Sequence, residues 1–83
     1  MAHNQNLNEI FANVERGVRE RIEEFELSFD DMEGAMSFID TNYDTTVRNI
    51  IRQNHLDPDD PGITPQIEEN KIALMDRIRQ EHS

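Results

Sequence analysis

Apolar residues three and four positions apart dominate the first third of this chain. Leu7, Ile10, Phe11, Val14, Val18, Ile22 and Phe25 follow one another at those spacings. At about 100° per residue they share an arc of roughly 120°, the buried stripe of an amphipathic α-helix. A strand needs alternation at every second residue, and no such run occurs in the sequence. Leu27 projects to the opposite side, so the helix is expected to end near Glu26. Arg21 falls on the apolar arc, where its stem can cover the core edge while the guanidinium reaches water.

A second stripe follows: Phe29, Met32, Ala35, Met36, Ile39, Tyr43, Val47 and Ile50. Ser28 suits its N-cap, with Asp31 three residues later. The segment "DTNYDTT" (40–46) consists of poor helix formers, and Asp44 is able to cap a new helix. The unbroken stripe favours one long helix to about Asn54; a helix kinked or split near 40–46 is the alternative. Thr64 as N-cap and Pro65 in the first turn open a third stripe of Ile67, Leu74, Met75 and Ile78. The fold expected is all-α: a long helical hairpin (about 6–26 and 29–54) with a third helix (about 65–81) across it, a three-helix bundle. Residues 6–83 read as one domain and residues 1–5 as a disordered tail. Phe38, Ile51 and Ile72 lie off the stripes and are not needed by a monomeric bundle; an exposed Phe38 suggests a partner or dimer surface, and a wider buried face is the commoner explanation.

With 83 residues and no cysteine, the chain has room for a thin core and no disulfide to reinforce it. Small domains of this kind gain stability by oligomerising, so a homodimer is one expectation. No apolar run approaches the roughly 20 residues of a membrane span. The opening "MAHNQNLNE" has no basic region followed by an apolar core. A cytoplasmic location is therefore expected, with no membrane partner.

Two stretches carry motif-like patterns. In "HLDPDDPGITPQIEE" (55–69), Asp57, Asp59, Gly62 and Glu68 occupy places one, three, six and twelve of a calcium-loop window. Place five is Pro61 and place nine is Pro65, and the prolines fix a backbone unlike a wrapped loop. Asp57-Pro58 and Asp60-Pro61 read as turn starters, with Gly62 expected at positive φ. The segment is a hinge, and no metal site is assigned. The stretch "SFDDMEGAMSF" (28–38) is loosely similar to the segment before the phosphopantetheine serine of acyl carrier proteins, which are also small, acidic and helical. The resemblance implies Ser37 as the attachment serine, after Gly34 and Ala35. Met36 stands where that family has Asp, and the apolar stripe runs through a region that is a loop there. Ser37 is accordingly read as a helix residue, with no cofactor. His3, His55 and His82 share no metal-ligand spacing, and no Gly-rich phosphate loop or serine elbow is present. No catalytic residue is assigned, and an enzyme is not expected.

Charge is the informative feature. The net charge is −10, which opposes direct binding to nucleic acid and favours basic proteins; solubility alone is the alternative explanation. Between Arg21 and Arg48 there is no base, while Glu23, Glu24, Glu26, Asp30, Asp31, Glu33, Asp40 and Asp44 all occur. Glu23, Glu24 and Glu26 crowd the negative end of the first helix dipole, where an anion is disfavoured by about 0.3–1 kcal/mol. Glu33, Asp40 and Asp44 line up at nearly one angle, and the Asp–Asp step of about 6 Å is near the spacing of strand phosphates. The expectation is a small binding protein that docks these eight carboxylates and Phe38 on a basic protein. Its sharper form is an inhibitor that occludes a nucleic-acid site as a phosphate mimic, by analogy of charge and size with small acidic phage-type inhibitors. The other reading is an assembly protein forming a helical homo-oligomer.

Overall fold

The computed structural model describes residues 5–83, and within them the chain is all-α. Helix α1 spans Gln5–Glu24, α2 spans Met32–Gln53 and α3 spans Thr64–Glu81. Helices α1 and α2 form an antiparallel hairpin, and α3 packs mainly on α2. The bundle is elongated, with principal extents of 44 × 22 × 19 Å. Gln5 already belongs to α1, so the expected disordered tail does not include it; the rest of that tail, residues 1–4, lies outside the described residues.

The core follows the three stripes. Ile10, Val14 and Val18 come from α1; Ala35, Met36, Ile39, Tyr43, Val47 and Ile51 from α2; Leu74 and Ile78 from α3. Ile63, just before α3, closes the end of the core. Ile51 is fully buried, contrary to its off-stripe reading. Helix α2 is covered from two sides, so its buried arc is wider than a single-faced stripe. Gly17 sits where α1 and α2 approach: a Cβ there would stand 3.2 Å from Thr46 Cγ2.

Helix α2 runs unbroken through 40–46. Its weak helix formers turn their side chains back on the same helix. Asn42 Nδ2 donates to the Phe38 carbonyl at 2.9 Å, and Thr45 Oγ1 donates to the Thr41 carbonyl at 3.3 Å. Burial of Ile39, Tyr43 and Val47 outweighs the propensity deficit of a few tenths of a kcal/mol per residue.

The helix ends differ in detail from the sequence expectation. The N-cap of α2 is Asp31, whose Oδ1 accepts from Gly34 N at 3.3 Å. Ser28 instead accepts from Asp30 N within the preceding turn. A side chain on Gly34 would collide with the capping carboxylate, at 2.6 Å from Asp31 Oδ2. Helix α3 has Ile63 at its N-cap position and no side-chain cap. Thr64 is its first residue, and its hydroxyl donates to the carbonyls of Pro58 and Asp60. Gly62 does not adopt positive φ. Asp60 Oδ1 accepts from its amide at 2.7 Å, so the turn closes without a left-handed residue.

Helices α1 and α2 both end in Schellman turns without glycine. In α1, Glu26 N donates to the Glu23 carbonyl and Leu27 N to the Ile22 carbonyl, with Glu26 at φ 49°. In α2, His55 N donates to Arg52 and Leu56 N to Ile51, with His55 at φ 63°. Helix α1 stops at Glu24, two residues before the expected Glu26, and the left-handed residue brings Leu27 back against the core, as a helix that ends before it allows. A side chain in this conformation costs about 1–2 kcal/mol. His55→Gly is therefore expected to stabilise the fold by about 0.5–1 kcal/mol, since glycine relieves the strain but gains freedom when unfolded. Thermal unfolding followed by circular dichroism should show a midpoint a few degrees higher; a lower midpoint would mean the His55 side chain makes a compensating contact.

Tyr43, the chain's single tyrosine, is 1% exposed. Its hydroxyl has no hydrogen-bond partner among the described residues. Burial, followed by the charges of Asp44 and Glu15, pushes its pKa well above the usual tyrosine value, while Arg77 acts in the opposite direction. The folded value lies above the unfolded one of about 10, so this contribution is complete below pH 10 and is lost as pH rises further. Tyrosinate absorbance is expected to emerge only together with loss of helical circular dichroism. Its appearance in a fully helical protein would show that water reaches the hydroxyl.

Candidate functional site

The eight carboxylates picked out by the sequence separate into two groups. Glu23 and Glu24 end α1, Glu26 occupies its left-handed terminal turn, and Asp30, Asp31 and Glu33 lie at the start of α2. All six are exposed, and they collect at the corner where α1 turns into α2. Asp40 and Asp44 lie further along α2, the first about 10 Å beyond Glu33.

This second group faces a cation. Lys71 of α3 donates to Asp40 Oδ1 at 2.9 Å, and its Nζ lies 3.5 Å from Asp44 Oδ1 and 3.8 Å from Glu68 Oε1. The Lys71 side chain is only 13% exposed. Burial works to lower its pKa, but the Asp40 hydrogen bond and the charges of Asp44 and Glu68 prevail and hold it above the usual lysine value. The row Glu33–Asp40–Asp44 is thus neutralised in part by the protein itself.

Other acids are also paired. Arg19 forms a two-pronged bridge to Glu81 at 3.0 and 2.9 Å, and its Nε donates to Glu15 at 3.0 Å. Arg77 Nη2 donates to the other Glu15 oxygen at 2.7 Å. The chain Glu81–Arg19–Glu15–Arg77 therefore ties α1 to α3. The hydrogen bond from Arg19 draws the Glu81 carboxyl below its usual value, and the same contact raises the Arg19 guanidinium. Arg48 reaches Asp59 at 3.5 Å and links the 57–63 turns to α2.

Among the described residues, none of the six corner carboxylates has a Lys, Arg or His in ion-pair range. Arg21, in the last turn of α1, is exposed and makes no bridge to them. Asp31 has its capping bond to Gly34 N. The corner therefore keeps six mutually repelling negative charges; Glu23, Glu24 and Glu26 also oppose the α1 dipole, whereas Asp30, Asp31 and Glu33 favour that of α2.

Phe25 stands in the middle of this charge. The apolar stripe placed it in the core, but the ring is 59% exposed. The helix ends one residue earlier, and the left-handed Glu26 directs Leu27 inward instead. Burying the rest of the Phe25 ring would be worth about 1–2 kcal/mol. Its one aromatic neighbour is Phe38, at a centroid separation of 5.6 Å and an interplanar angle of 68°. Phe38 is half-buried and packs against the core, which fits the wider buried face and not a free-standing aromatic. Phe25 is the residue that sequence reasoning missed. Its position between Glu24 and Glu26, at a helix terminus, was the available signal. Nearby, Phe29 stacks on His82 at 3.7 Å and 8°, fastening the end of α3 to the turn before α2.

The remaining candidates have structural surroundings. Ser37 is exposed in the second turn of α2. Asp57 Oδ1 accepts from Asp59 N, and Asp60 Oδ1 from Gly62 N, in the turns before α3. Among the described residues, no three His, Asp or Glu side chains are gathered to hold a metal ion, and no helix is long and apolar enough to cross a membrane. No protein-family model matches the chain, and neither a curated protein nor a solved structure matches it.

Lys71→Met keeps the apolar stem and removes the charge. It is expected to lower stability by about 1 kcal/mol, because Asp40 and Asp44 then lie one turn apart with no cation between them. Added salt should recover part of the loss. Urea unfolding at low and high salt checks this; an unchanged midpoint would show that the ammonium contributes nothing to holding α3.

Proposed function

We propose that this chain is a small non-catalytic binding protein that docks its acidic α1–α2 corner on a basic surface of another protein. The observation that carries the reading is the crowding at one corner of six acids that are unpaired among the described residues, whereas the other such acids, Glu9, Glu20, Asp57, Asp60, Glu69 and Asp76, are spread over α1, the 57–63 turns and α3. Glu15, Asp40, Asp44, Asp59, Glu68 and Glu81 each face a Lys or Arg. Glu23, Glu24, Glu26, Asp30, Asp31 and Glu33 face none among the described residues. Arg21 is the single cation in the last turn of α1, against Glu23, Glu24 and Glu26, so anions outnumber cations at the negative end of that dipole. A basic partner supplies the missing counter-charge and accelerates encounter at low ionic strength.

The basic surfaces most in need of anionic cover are those that hold nucleic-acid phosphates, which are built from Lys and Arg. Occlusion of such a surface is the sharper form of the proposal. It is assigned to the corner and not to the whole α2 row, because Asp40 and Asp44 are shared with Lys71.

The test compares two variants of equal charge. One is Glu23→Gln, Glu24→Gln and Glu26→Gln together. The other is Glu9→Gln, Glu69→Gln and Asp76→Asn together, three exposed acids outside the corner without ion pairs among the described residues. The corner variant is expected to melt at or above the parent temperature, since repulsion is relieved. Its affinity for a fluorescent oligolysine peptide should fall several-fold more than that of the control variant, with a flatter salt dependence. Equal losses in the two variants would reduce the interaction to net charge and remove the corner as the site.

A further inference from the structure

We infer that Phe25, set edge-on against Phe38, is the apolar anchor of the acidic corner, and that its partner is a basic protein surface with an apolar pocket ringed by Lys and Arg. This inference rests on the docking role proposed above and names the chemistry of the partner. Three side chains stand out as large exposed hydrophobics: Phe25, Leu56 and Ile72. Leu56 lies after α2 and Ile72 in the middle of α3, away from the corner. Phe25 is the one set among the six corner carboxylates; Ile72 is flanked by two acids unpaired among the described residues, Glu69 and Asp76, with the cation Arg79 beside them.

The ring is also held in place. Phe25 N donates to the Arg21 carbonyl at 3.0 Å, and the next two amides are fixed by the Schellman turn. Phe38, packed against the core, is a backstop at 5.6 Å. A side chain positioned before binding loses little freedom on binding. An aromatic anchor at the centre with a polar rim is the arrangement in which a few residues dominate an interface.

Charge selects the occupant. A second copy docking through this corner would bring twelve carboxylates together, twice the six described above, and nucleic acid or an anionic membrane is repelled by the same groups. A purely apolar pocket would desolvate the rim acids without pairing them. A pocket rimmed by Lys and Arg satisfies both the ring and the rim.

The experiment uses two synthetic peptides of equal lysine count: an amphipathic helix of Lys and Leu, and oligolysine. The parent should bind the Lys/Leu peptide at least about tenfold more tightly than oligolysine, and Phe25→Ala should abolish that preference while keeping its helicity. The chain has no tryptophan, so Phe25→Trp is a single reporter. Its emission should shift to the blue with the Lys/Leu peptide and stay in place with oligolysine. If Phe25→Ala keeps the preference, or the emission does not move in the saturated complex, the anchor is overturned and corner docking stands. Loss of helicity in Phe25→Ala also overturns it, since Phe25 would then be a structural residue. If the parent binds neither peptide at low salt, docking itself fails and the anchor with it.

Discussion

The apolar surface of α2 is shared by two helices, α1 and α3, that are tied to each other by ion pairs. Half of the fully enclosed core comes from α2: Ala35, Met36, Ile39, Tyr43, Val47 and Ile51. Helix α1 adds three such residues and α3 two, with Ile63 from the connection. At roughly 1.5–3 kcal/mol per buried aliphatic side chain, two residues do not order an eighteen-residue helix unaided. Half-buried Ile67 and Met75 extend the contact of α3 with the core. The turns around Asp57 and Asp60 set its direction of entry, and the Phe29–His82 stack fastens its far end.

This distribution explains where the ion pairs lie. Lys71 bridges α3 to Asp40 and Asp44 of α2, while Arg19 and Arg77 link α1 to α3 through Glu81 and Glu15. Exposed pairs contribute little singly, but these share members and span helices with few other mutual contacts. Three of the eight basic residues are engaged in this way along α3. Only five remain for the rest of the surface, and one of those, Arg48, holds Asp59. Of the four that remain, Arg21 is the one in the last turn of α1, and it makes no bridge to the corner carboxylates.

The sequence was most legible where burial is periodic. The three stripes place the three helices and nearly every core residue, because a helix that buries one face must repeat at 3.6 residues. It was least legible where a single residue changes the chain's direction. Nothing in the composition of Glu26 or His55 announces a left-handed conformation, for which glycine is the usual choice. That one torsion moves Leu27 into the core and leaves Phe25 outside. Ile51 was misplaced for a different reason: a stripe presumes one buried face, and α2 has neighbours on two. The carboxylate row on α2 was correctly aligned, yet Lys71 lies on another helix and its reach to Asp40 and Asp44 is a tertiary fact. The corner was legible as a run of acids opposing a dipole, whereas its aromatic centre was hidden within an apolar pattern that continued one residue too far.

The corner and the core are physically separable, and this follows from where α1 stops contributing. Val18 is the last fully enclosed residue of α1, and Ile22 and Leu27 make the closing half-buried contacts. The Schellman turn satisfies its carbonyls through backbone amides alone, with no demand on the side chains of Glu23, Glu24, Phe25 or Glu26. Like charges can therefore accumulate there at a cost of a few tenths of a kcal/mol each without disturbing packing. The α2 terminus differs, because Asp31 is both an acid of the corner and the helix cap. Removing its carboxylate would cost about 1 kcal/mol of helix stability whatever the partner. Within the proposed docking surface, Asp31 thus has a structural role that Glu23, Glu24 and Glu26 lack, and the first helix terminus is where recognition can change without changing the fold.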